Sequence, residues 1–171
     1  MGTDKASLVV DGVPLADQIA SHLLAAGYPV TVCGPEQIEG CAFVPDATVH
    51  AGPLAALANF KPRALFVFVT ACDLPRFDAG LVALLRSRIG SCDVAVPSIA
   101  GRLQPLAALY SANAFTIAAH LLNRGKRSMM AWLDALNVQS VEESVLLANR
   151  IALEAVASAN TPEDFARLAR S

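Results

Sequence analysis

Short apolar runs alternate along this chain with stretches in which apolar residues recur every three or four positions. Turn-forming residues separate them, and this alternation is typical of an α/β domain with a largely parallel sheet. The pattern predicts strands at Val30–Cys33, Cys41–Val44, Ala64–Val69, Asp93–Ser98 and Pro105–Ser111. It predicts helices at Leu15–Ala26, Pro53–Phe60, Phe77–Arg88, Ala112–Asn123, Ser128–Leu136 and Pro162–Arg170. The segment Val141–Ala157 fits either a strand or a helix.

The run Ala64–Val69, with the sequence ALFVFV, is the strongest of the predicted strands. Every position in it is apolar, so both of its faces need a covering layer, as in parallel sheets with helices on both sides. We therefore expect this strand near the centre of the sheet. No linker divides the chain, and we expect residues 1–171 to form one domain.

Composition excludes two classes of partner. Although 54% of the 171 residues are hydrophobic, no run approaches the ~18 consecutive apolar residues of a membrane span. The 13 basic residues are scattered and the net charge is −2, so we expect no nucleic-acid partner. Four cysteines without C-x-x-C spacing, and the lack of an apolar secretion segment, favour reduced thiols and a cytoplasmic protein.

Asp73 is the first candidate for a functional residue. Ligands of open α/β sheets bind beyond the carboxyl ends of the strands, and Asp73 follows the Ala64–Val69 strand in TACDLP. A carboxylate there can hold a hard cation such as Mg²⁺ through its oxygen atoms. The alternative is structural, because Asp73 could simply cap the turn that Pro75 stiffens. The residue pattern leaves both interpretations open.

Two weaker candidates, Asp46 and Gly52, lie around the end of another predicted strand. Asp46 follows Cys41–Val44 in the same topological position as Asp73, although its Pro-Asp pair is also an ordinary turn sequence. Gly52 precedes the predicted helix Pro53–Phe60, whose first amide groups favour phosphate. Glycine before a helix is common, so this signal has low specificity.

Two segments in the second half of the chain begin predicted helices. In NTPED, Thr161 is suited to cap a helix, Pro162 to its first position and the acidic residues to its first turn. A helix start does not explain Asn160. In RGKRSMMAWL, Ser128 is a predicted helix cap, while Arg124, Lys126 and Arg127 beside it could instead bind a phosphate. Both interpretations of this basic segment stay open.

Six segments taken in order resemble the MobA-like nucleotidyltransferases, the molybdenum cofactor guanylyltransferases. They are MGTDKASL, the Pro-Asp pair with the following GPLAAL, FVTACDLP, QPLAALY, GKRSMMAWL and NTPEDF. The likeness covers the whole chain, and six ordered motifs are far more specific than any one of them. It implies a Rossmann-like, three-layer α/β nucleotidyltransferase fold with a mostly parallel sheet. It also implies one antiparallel strand, into which QPLAALY would fit.

The resemblance implies transfer of GMP from GTP to the phosphate of molybdopterin, with release of pyrophosphate and with Mg²⁺ as cofactor. Asp73 matches the metal-holding aspartate of the family and Lys5 its phosphate-contacting lysine, which makes both candidate catalytic residues. The candidate nucleotide-binding residues are Lys5, Cys33, Asp46, Gly52, Asp73 and Asn160. GTP and molybdopterin are the implied partners, and other proteins of cofactor biosynthesis are further candidates.

The chain departs from the pattern of the family in three places. Asp4-Lys5 matches the end of the family loop LAGG-x-S-x-R-M-G-x-D-K, whose strand, glycine-rich turn and arginine have no counterpart here. An internally assigned start or a fragmentary reading frame explains this better than a real loss of activity, because removing a central strand leaves backbone unpaired. Cys33 stands where a family member can carry Asn, and Ser158 replaces the first Asn of N-x-N-T-P-E.

Two other functions stay open on the sequence. One is a truncated or inactive relative that only binds nucleotide, molybdopterin or a protein partner. The other is a related cytidylyltransferase that uses CTP, since the base-contacting turn of the family lies partly in the segment without a counterpart. Measured nucleotide turnover would separate the first from an enzyme, and comparison of GTP with CTP would test the second.

Overall fold

The computed structural model of the protein describes residues 9–10, 12–45 and 52–158. Its strands are β1 Val9–Val10, β2 Val13–Pro14, β3 Thr31–Gly34, β4 Ala42–Pro45, β5 Phe66–Thr70, β6 Val94–Ile99, β7 Arg102–Leu103, β8 Ala107–Ser111 and β9 Val138–Glu142. Its helices are α1 Leu15–Ala25, α2 Pro53–Asn59, α3 Gly80–Arg88, α4 Ala112–Asn123, α5 Met129–Leu133 and α6 Glu143–Ala148, followed by a 3₁₀ helix at Leu153–Val156.

The main sheet contains β5, β8, β6 and β9 in that spatial order, with the short β7 also paired to β6. β8 is antiparallel to both of its neighbours, while β6 and β9 are parallel. β5, β6 and β9 therefore run in one direction and β8 runs in the other. This confirms the expected α/β sheet with QPLAALY as an antiparallel strand. The short β7 is also antiparallel to β6, so the sheet is less parallel than expected. β3 and β4 form a separate parallel pair, and β1 and β2 an antiparallel one.

Helices cover both faces of the main sheet, which gives the expected three layers. On one face α1, α3 and α6 bury residues such as Leu15, Leu81, Leu85 and Leu146. On the other face α2, α4 and α5 bury residues such as Leu54, Phe115 and Trp132. Successive strand residues point to opposite faces, so Ala95 of β6 joins the first core and its neighbours Val94 and Val96 join the second.

An aromatic cluster attaches α5 to β8. The rings of Tyr110 and Trp132 stack with centroids 4.2 Å apart, and Phe115 meets Trp132 edge-on at 5.6 Å. The buried indole N–H of Trp132 donates a 2.9 Å hydrogen bond to the carbonyl oxygen of Ala114. Because this polar group keeps a partner, the hydrogen bond offsets the cost of removing the N–H from water.

The predicted elements are largely confirmed, with shifts that have local causes. The helix predicted from Phe77 begins at Gly80, because the side chain of Asp78 accepts a 2.7 Å hydrogen bond from the Gly80 N–H and so holds a turn before the helix. The ambiguous segment Val141–Ala157 contains the end of β9, then α6 and the 3₁₀ helix. The helix predicted at Pro162–Arg170 lies outside the described residues.

The position of β5 differs from the expectation of a central strand. Within the described part of the chain, β5 lies at one end of the main sheet, and Phe66, Val67 and Phe68 are half-buried. The most buried strands are β6 and β8, each paired on both sides and covered by helices. No helix among the described residues is both long and apolar enough to cross a membrane.

Candidate active site

Asp73 lies three residues beyond the end of β5 and is only 8% exposed. Within the described ranges it is the one charged side chain that is buried. Aspartate is rarely buried unless it binds a partner or performs a function, and an aspartate that only caps a surface turn would stay in water. Asp73 therefore does not lie on an exposed surface turn, and its place at a strand end makes it a candidate functional residue.

A cavity of about 220 Å³ lies beside Asp73. Its wall combines the loop after β5, the turn before β8 and the segment after the 3₁₀ helix. The lining residues are Ala71, Asp73, Leu74, Gln104, Pro105, Leu106, Ala107, Val156 and Ser158. Three of these side chains, those of Asp73, Gln104 and Ser158, can form hydrogen bonds, and the other six are apolar.

The turn formed by residues 104–107, with the sequence QPLA, is held on both sides by backbone hydrogen bonds. The Gln104 N–H donates to the Pro97 carbonyl at 2.9 Å, and the Ala107 N–H donates to the Gln104 carbonyl at 3.0 Å. The Ala71 N–H, two residues before Asp73, donates to the Leu106 carbonyl at 3.0 Å. The QPLA turn and the Asp73 loop are therefore one connected backbone unit.

The buried Tyr110 connects the QPLA turn to the hydrophobic core. Its hydroxyl donates a 2.8 Å hydrogen bond to the carbonyl oxygen of Pro105, and its ring is stacked on Trp132. Burial raises the pKa of Tyr110 above its ordinary value, so the hydroxyl keeps the proton that it donates. The wall of the cavity is thereby anchored to the hydrophobic core.

Strand direction explains why these segments meet. Because β8 is antiparallel to β5, with Thr70 opposite Ala107, the residues that precede β8 lie beside the residues that follow β5. The motifs FVTACDLP and QPLAALY thus share one cavity, and Ser158 joins them just before NTPED. Gln104 was missed as a site residue by the sequence reasoning, although a polar residue opening the apolar run QPLAALY was a usable signal.

Of the other predicted site residues, the described ones, Cys33 and Gly52, are not among the residues that line the cavity. Cys33 is half-buried in β3, opposite Val44 of β4. Gly52 precedes α2 with φ = +86°, a left-handed conformation that favours glycine, which gives this residue a structural reason of its own. Lys5, Asp46 and Asn160 lie outside the described residues, so their predicted roles remain predictions.

The basic segment before α5 contains the predicted helix cap. The hydroxyl of Ser128 accepts hydrogen bonds from the N–H groups of Met130 and Ala131, at 3.2 and 3.4 Å. It therefore caps α5 as predicted. Arg124 and Arg127 are exposed, and none of the residues that line the cavity comes from this segment.

The three-layer fold, the antiparallel β8 and the buried carboxylate at a strand end are the features expected of an α/β nucleotidyltransferase. A molybdopterin-guanine dinucleotide biosynthesis protein A from Archaeoglobus fulgidus superposes with a TM-score of 0.73 at 20% identity, covering 99% of this chain and 90% of that one. A 2-C-methyl-D-erythritol 4-phosphate cytidylyltransferase from Thermus thermophilus also gives 0.73, at 18% identity, covering 97% and 92%. These similarities establish the Rossmann-like fold.

A family model described as "MobA-like NTP transferase domain" matches residues 1–141, and the chain belongs to this family. A "Probable molybdenum cofactor guanylyltransferase" of Opitutus terrae is 35% identical over 174 residues, covering 96% of this chain and 86% of the relative. A protein of the same name from Nostoc sp. is 31% identical over 182 residues, covering 97% and 83%. The resemblance inferred from the motifs is confirmed, and the protein is a nucleotidyltransferase.

Proposed function

We propose that this protein transfers GMP from GTP to the phosphate of molybdopterin during molybdenum cofactor biosynthesis. The observation that carries the proposal is the buried carboxylate of Asp73 beside a cavity at the carboxyl end of a strand, where ligands of such sheets bind. The names of the relatives support the choice of nucleotide and acceptor. A role in this biosynthesis also agrees with the proposed cytoplasmic location.

The reaction makes modest demands on the protein. An oxygen atom of the acceptor phosphate attacks the α-phosphorus of GTP, and the bond from that phosphorus to the oxygen bridging to the β-phosphate breaks. The electron pair leaves with pyrophosphate, and a phosphoanhydride links acceptor and GMP. A phosphate monoester has a second pKa near ~6, so the attacking oxygen is already deprotonated at neutral pH. The protein therefore mainly aligns the two substrates and offsets their negative charge.

Mg²⁺ is the proposed cofactor, and Asp73 is the residue proposed to hold it. Mg²⁺ in such sites typically binds one or two protein carboxylates together with water and substrate phosphates. The described residues contain no group of three or more His, Cys, Asp or Glu that could hold a metal by themselves. One buried carboxylate beside a cavity fits an ion of this shared type. When bound, Mg²⁺ would withdraw charge from the phosphates.

Further roles are proposed for the residues that match the motifs of the family. Lys5 would contact the triphosphate and share catalysis with Asp73, while Asp46 would contact the nucleotide. The remaining proposed nucleotide contacts are Cys33, Gly52 and Asn160. The backbone amide groups near Gly52 suit phosphate, and other proteins of cofactor biosynthesis are candidate partners.

A transfer assay tests the proposal. The purified protein would be incubated with molybdopterin, Mg²⁺ and either α-³²P-labelled GTP or labelled CTP, and the labelled dinucleotide and the pyrophosphate would be measured. We expect a guanine dinucleotide, equimolar pyrophosphate and no product in the presence of a chelator. Preferential use of CTP would identify a cytidylyltransferase, which the similar T. thermophilus structure makes the second candidate. Binding of both substrates without turnover would identify an inactive relative.

A further inference from the structure

We propose that the cavity beside Asp73 binds the ring system of the acceptor substrate, and that the side-chain amide of Gln104 recognises this ring. The inference rests on the proposed function, because it assigns the second substrate of the same site. The residue that it adds is Gln104, for which the resemblance to the family implied no role.

The cavity wall comes from different elements than three of the proposed nucleotide contacts. The lining residues within the described part of the chain come from the loop after β5, the QPLA turn with the start of β8, and residues 156–158. None comes from β3, β4 or α2, the elements that carry or adjoin the proposed nucleotide contacts Cys33, Asp46 and Gly52. Two other proposed nucleotide contacts are nearer, because Asp73 belongs to the wall and Asn160 follows Ser158 by two positions in the sequence. The proposed acceptor site therefore adjoins the nucleotide site at Asp73.

The size and lining of the cavity suit a flat heterocycle. Its volume of about 220 Å³ is below the ~300–1,000 Å³ of pockets that enclose a drug-sized ligand, so it suits a ring system rather than a whole dinucleotide. Leu74, Leu106 and Val156 provide apolar surface for the faces of such a ring. The polar groups of Gln104 and Ser158 can meet its edge.

The hydrogen-bonding state of Gln104 identifies the kind of ring edge that it would recognise. Its Nε2 group donates a 3.1 Å hydrogen bond to the carbonyl oxygen of Arg102, which fixes the orientation of the amide. Within the described part of the chain, its Oε1 atom accepts no hydrogen bond. An amide oxygen can accept from ring or amino N–H groups, and the second Nε2 hydrogen can donate to a ring carbonyl. The amino-oxo pyrimidine edge of a pterin offers both.

Gln104 is also held in place before any ligand arrives. Its N–H and C=O groups both take part in backbone hydrogen bonds, and the next residue, Pro105, restricts the backbone and accepts the bond from Tyr110. A group that is already oriented loses little conformational entropy when it binds. The backbone that carries Gln104 is therefore fixed, and its side-chain amide has one hydrogen bond that favours a single orientation.

Binding of a stable pterin provides a test that does not depend on turnover. The purified full chain would be titrated with fluorescent 6-hydroxymethylpterin, comparing the wild type with Gln104→Ala and Gln104→Glu. Gln139→Ala is the matched control, because Gln139 is an exposed glutamine that also donates to a backbone carbonyl, at 2.8 Å, but lies on β9 away from the cavity. We expect both Gln104 variants to bind the pterin about tenfold more weakly, which equals the loss of one or two buried hydrogen bonds.

Transfer kinetics on the same variants separate this inference from the proposed function. We expect Gln104→Ala to raise KM for molybdopterin about tenfold with KM for GTP unchanged. An unchanged pterin affinity in both Gln104 variants, or a wild type that does not bind the pterin, would overturn the inference even if GMP transfer is observed. Pterin binding that depends on Gln104 in a protein without any transfer would support the inference and refute the proposed function.

Discussion

The hydroxyl of Tyr110 donates a 2.8 Å hydrogen bond to the carbonyl oxygen of Pro105, and thereby connects the aromatic core to the wall of the cavity. Tyr110 is fully buried, whereas Pro105 belongs to the QPLA turn that carries Gln104. A packing interaction in the core can therefore influence the position of a side chain proposed to contact substrate.

Replacing the tyrosine tests this connection. Tyr110→Phe keeps the ring stack and removes the hydroxyl, so we expect a loss of ~1 kcal/mol in the free energy of unfolding by urea. We also expect KM for molybdopterin to rise while KM for GTP is unchanged. Tyr28→Phe is the control for removing a phenolic hydroxyl group, because Tyr28 lies before β3 and is not among the residues that line the cavity. Equal effects of the two variants on the acceptor KM would contradict the proposed positioning role.

Alkaline pH should destabilise the protein through the same side chain. Burial raises the pKa of Tyr110 in the folded state, while in the unfolded chain it returns to about 10. Above that pH the unfolded state has lost a proton that the folded state keeps, so the stability falls by ~1.4 kcal/mol per pH unit from this group. Unfolding curves from pH 9 to 11.5 should show this slope as the difference between the wild type and Tyr110→Phe. Parallel curves for the two proteins would show that Tyr110 does not titrate in this way.

Asp73→Asn should abolish most of the activity while leaving the fold intact. The amide has the same size as the carboxylate but cannot replace its charge at a hard cation, so we expect kcat to fall about 10²-fold or more. Asp78→Asn is the matched control, because Asp78 is exposed and its role is to hold the Gly80 N–H before α3. Retained metal-dependent transfer by Asp73→Asn, at a melting temperature like that of the wild type, would rule out the role assigned to Asp73.

Asp93 should contribute to stability by joining three strands. Its carboxylate accepts hydrogen bonds from the Asn137 N–H at 3.0 Å and from the Ser111 hydroxyl at 3.4 Å, so residues before β6 and β9 and the end of β8 are connected. Asp93→Asn should lower the free energy of unfolding by about 1–2 kcal/mol. Asp134→Asn, at an exposed residue after α5, should leave it nearly unchanged. Equal urea midpoints for these two variants would show that the Asp93 contacts are energetically neutral.

The turn between β6 and β7 contains a residue in an unfavourable conformation. Ala100 has φ = +50° and Gly101 has φ = +72°, a pair of positive values typical of a type I′ hairpin turn, in which Asn-Gly is preferred. Ala100→Asn should therefore raise the stability by roughly 0.5–1 kcal/mol, measured as a higher melting temperature. Ala100→Val should lower it, because a β-branched side chain is still less compatible with positive φ. A stabilising Ala100→Val would contradict this conformation.

Periodicity and turn chemistry predicted most of the elements, because amphipathic helices such as α1 and α4 have strong local signals. Asp73 was also identifiable as a candidate, since its position depends only on where one strand ends. Gln104 was not, because its approach to Asp73 depends on β8 pairing antiparallel with β5, a contact between distant parts of the chain. The short β7 was missed for a related reason, since its turn places Ala100, an ordinary helix-forming residue, at positive φ.

The parallel pairing of β6 with β9 has a consequence for synthesis of the chain. Asp93 and Asn137 at its start are 44 positions apart, so a ribosome adding ~5–20 residues per second leaves β6 without this partner for roughly two to nine seconds. During that interval an apolar strand edge is open to pairing with other nascent chains. Pro97 lies in the middle of β6 and has no N–H to donate. The Pro97 carbonyl, however, accepts its hydrogen bond from the Gln104 N–H, so the missing N–H faces β7 and the edge that later pairs with β9 keeps all of its donors. Until β9 has been made, this edge is therefore the part of the unfinished protein most open to aggregation.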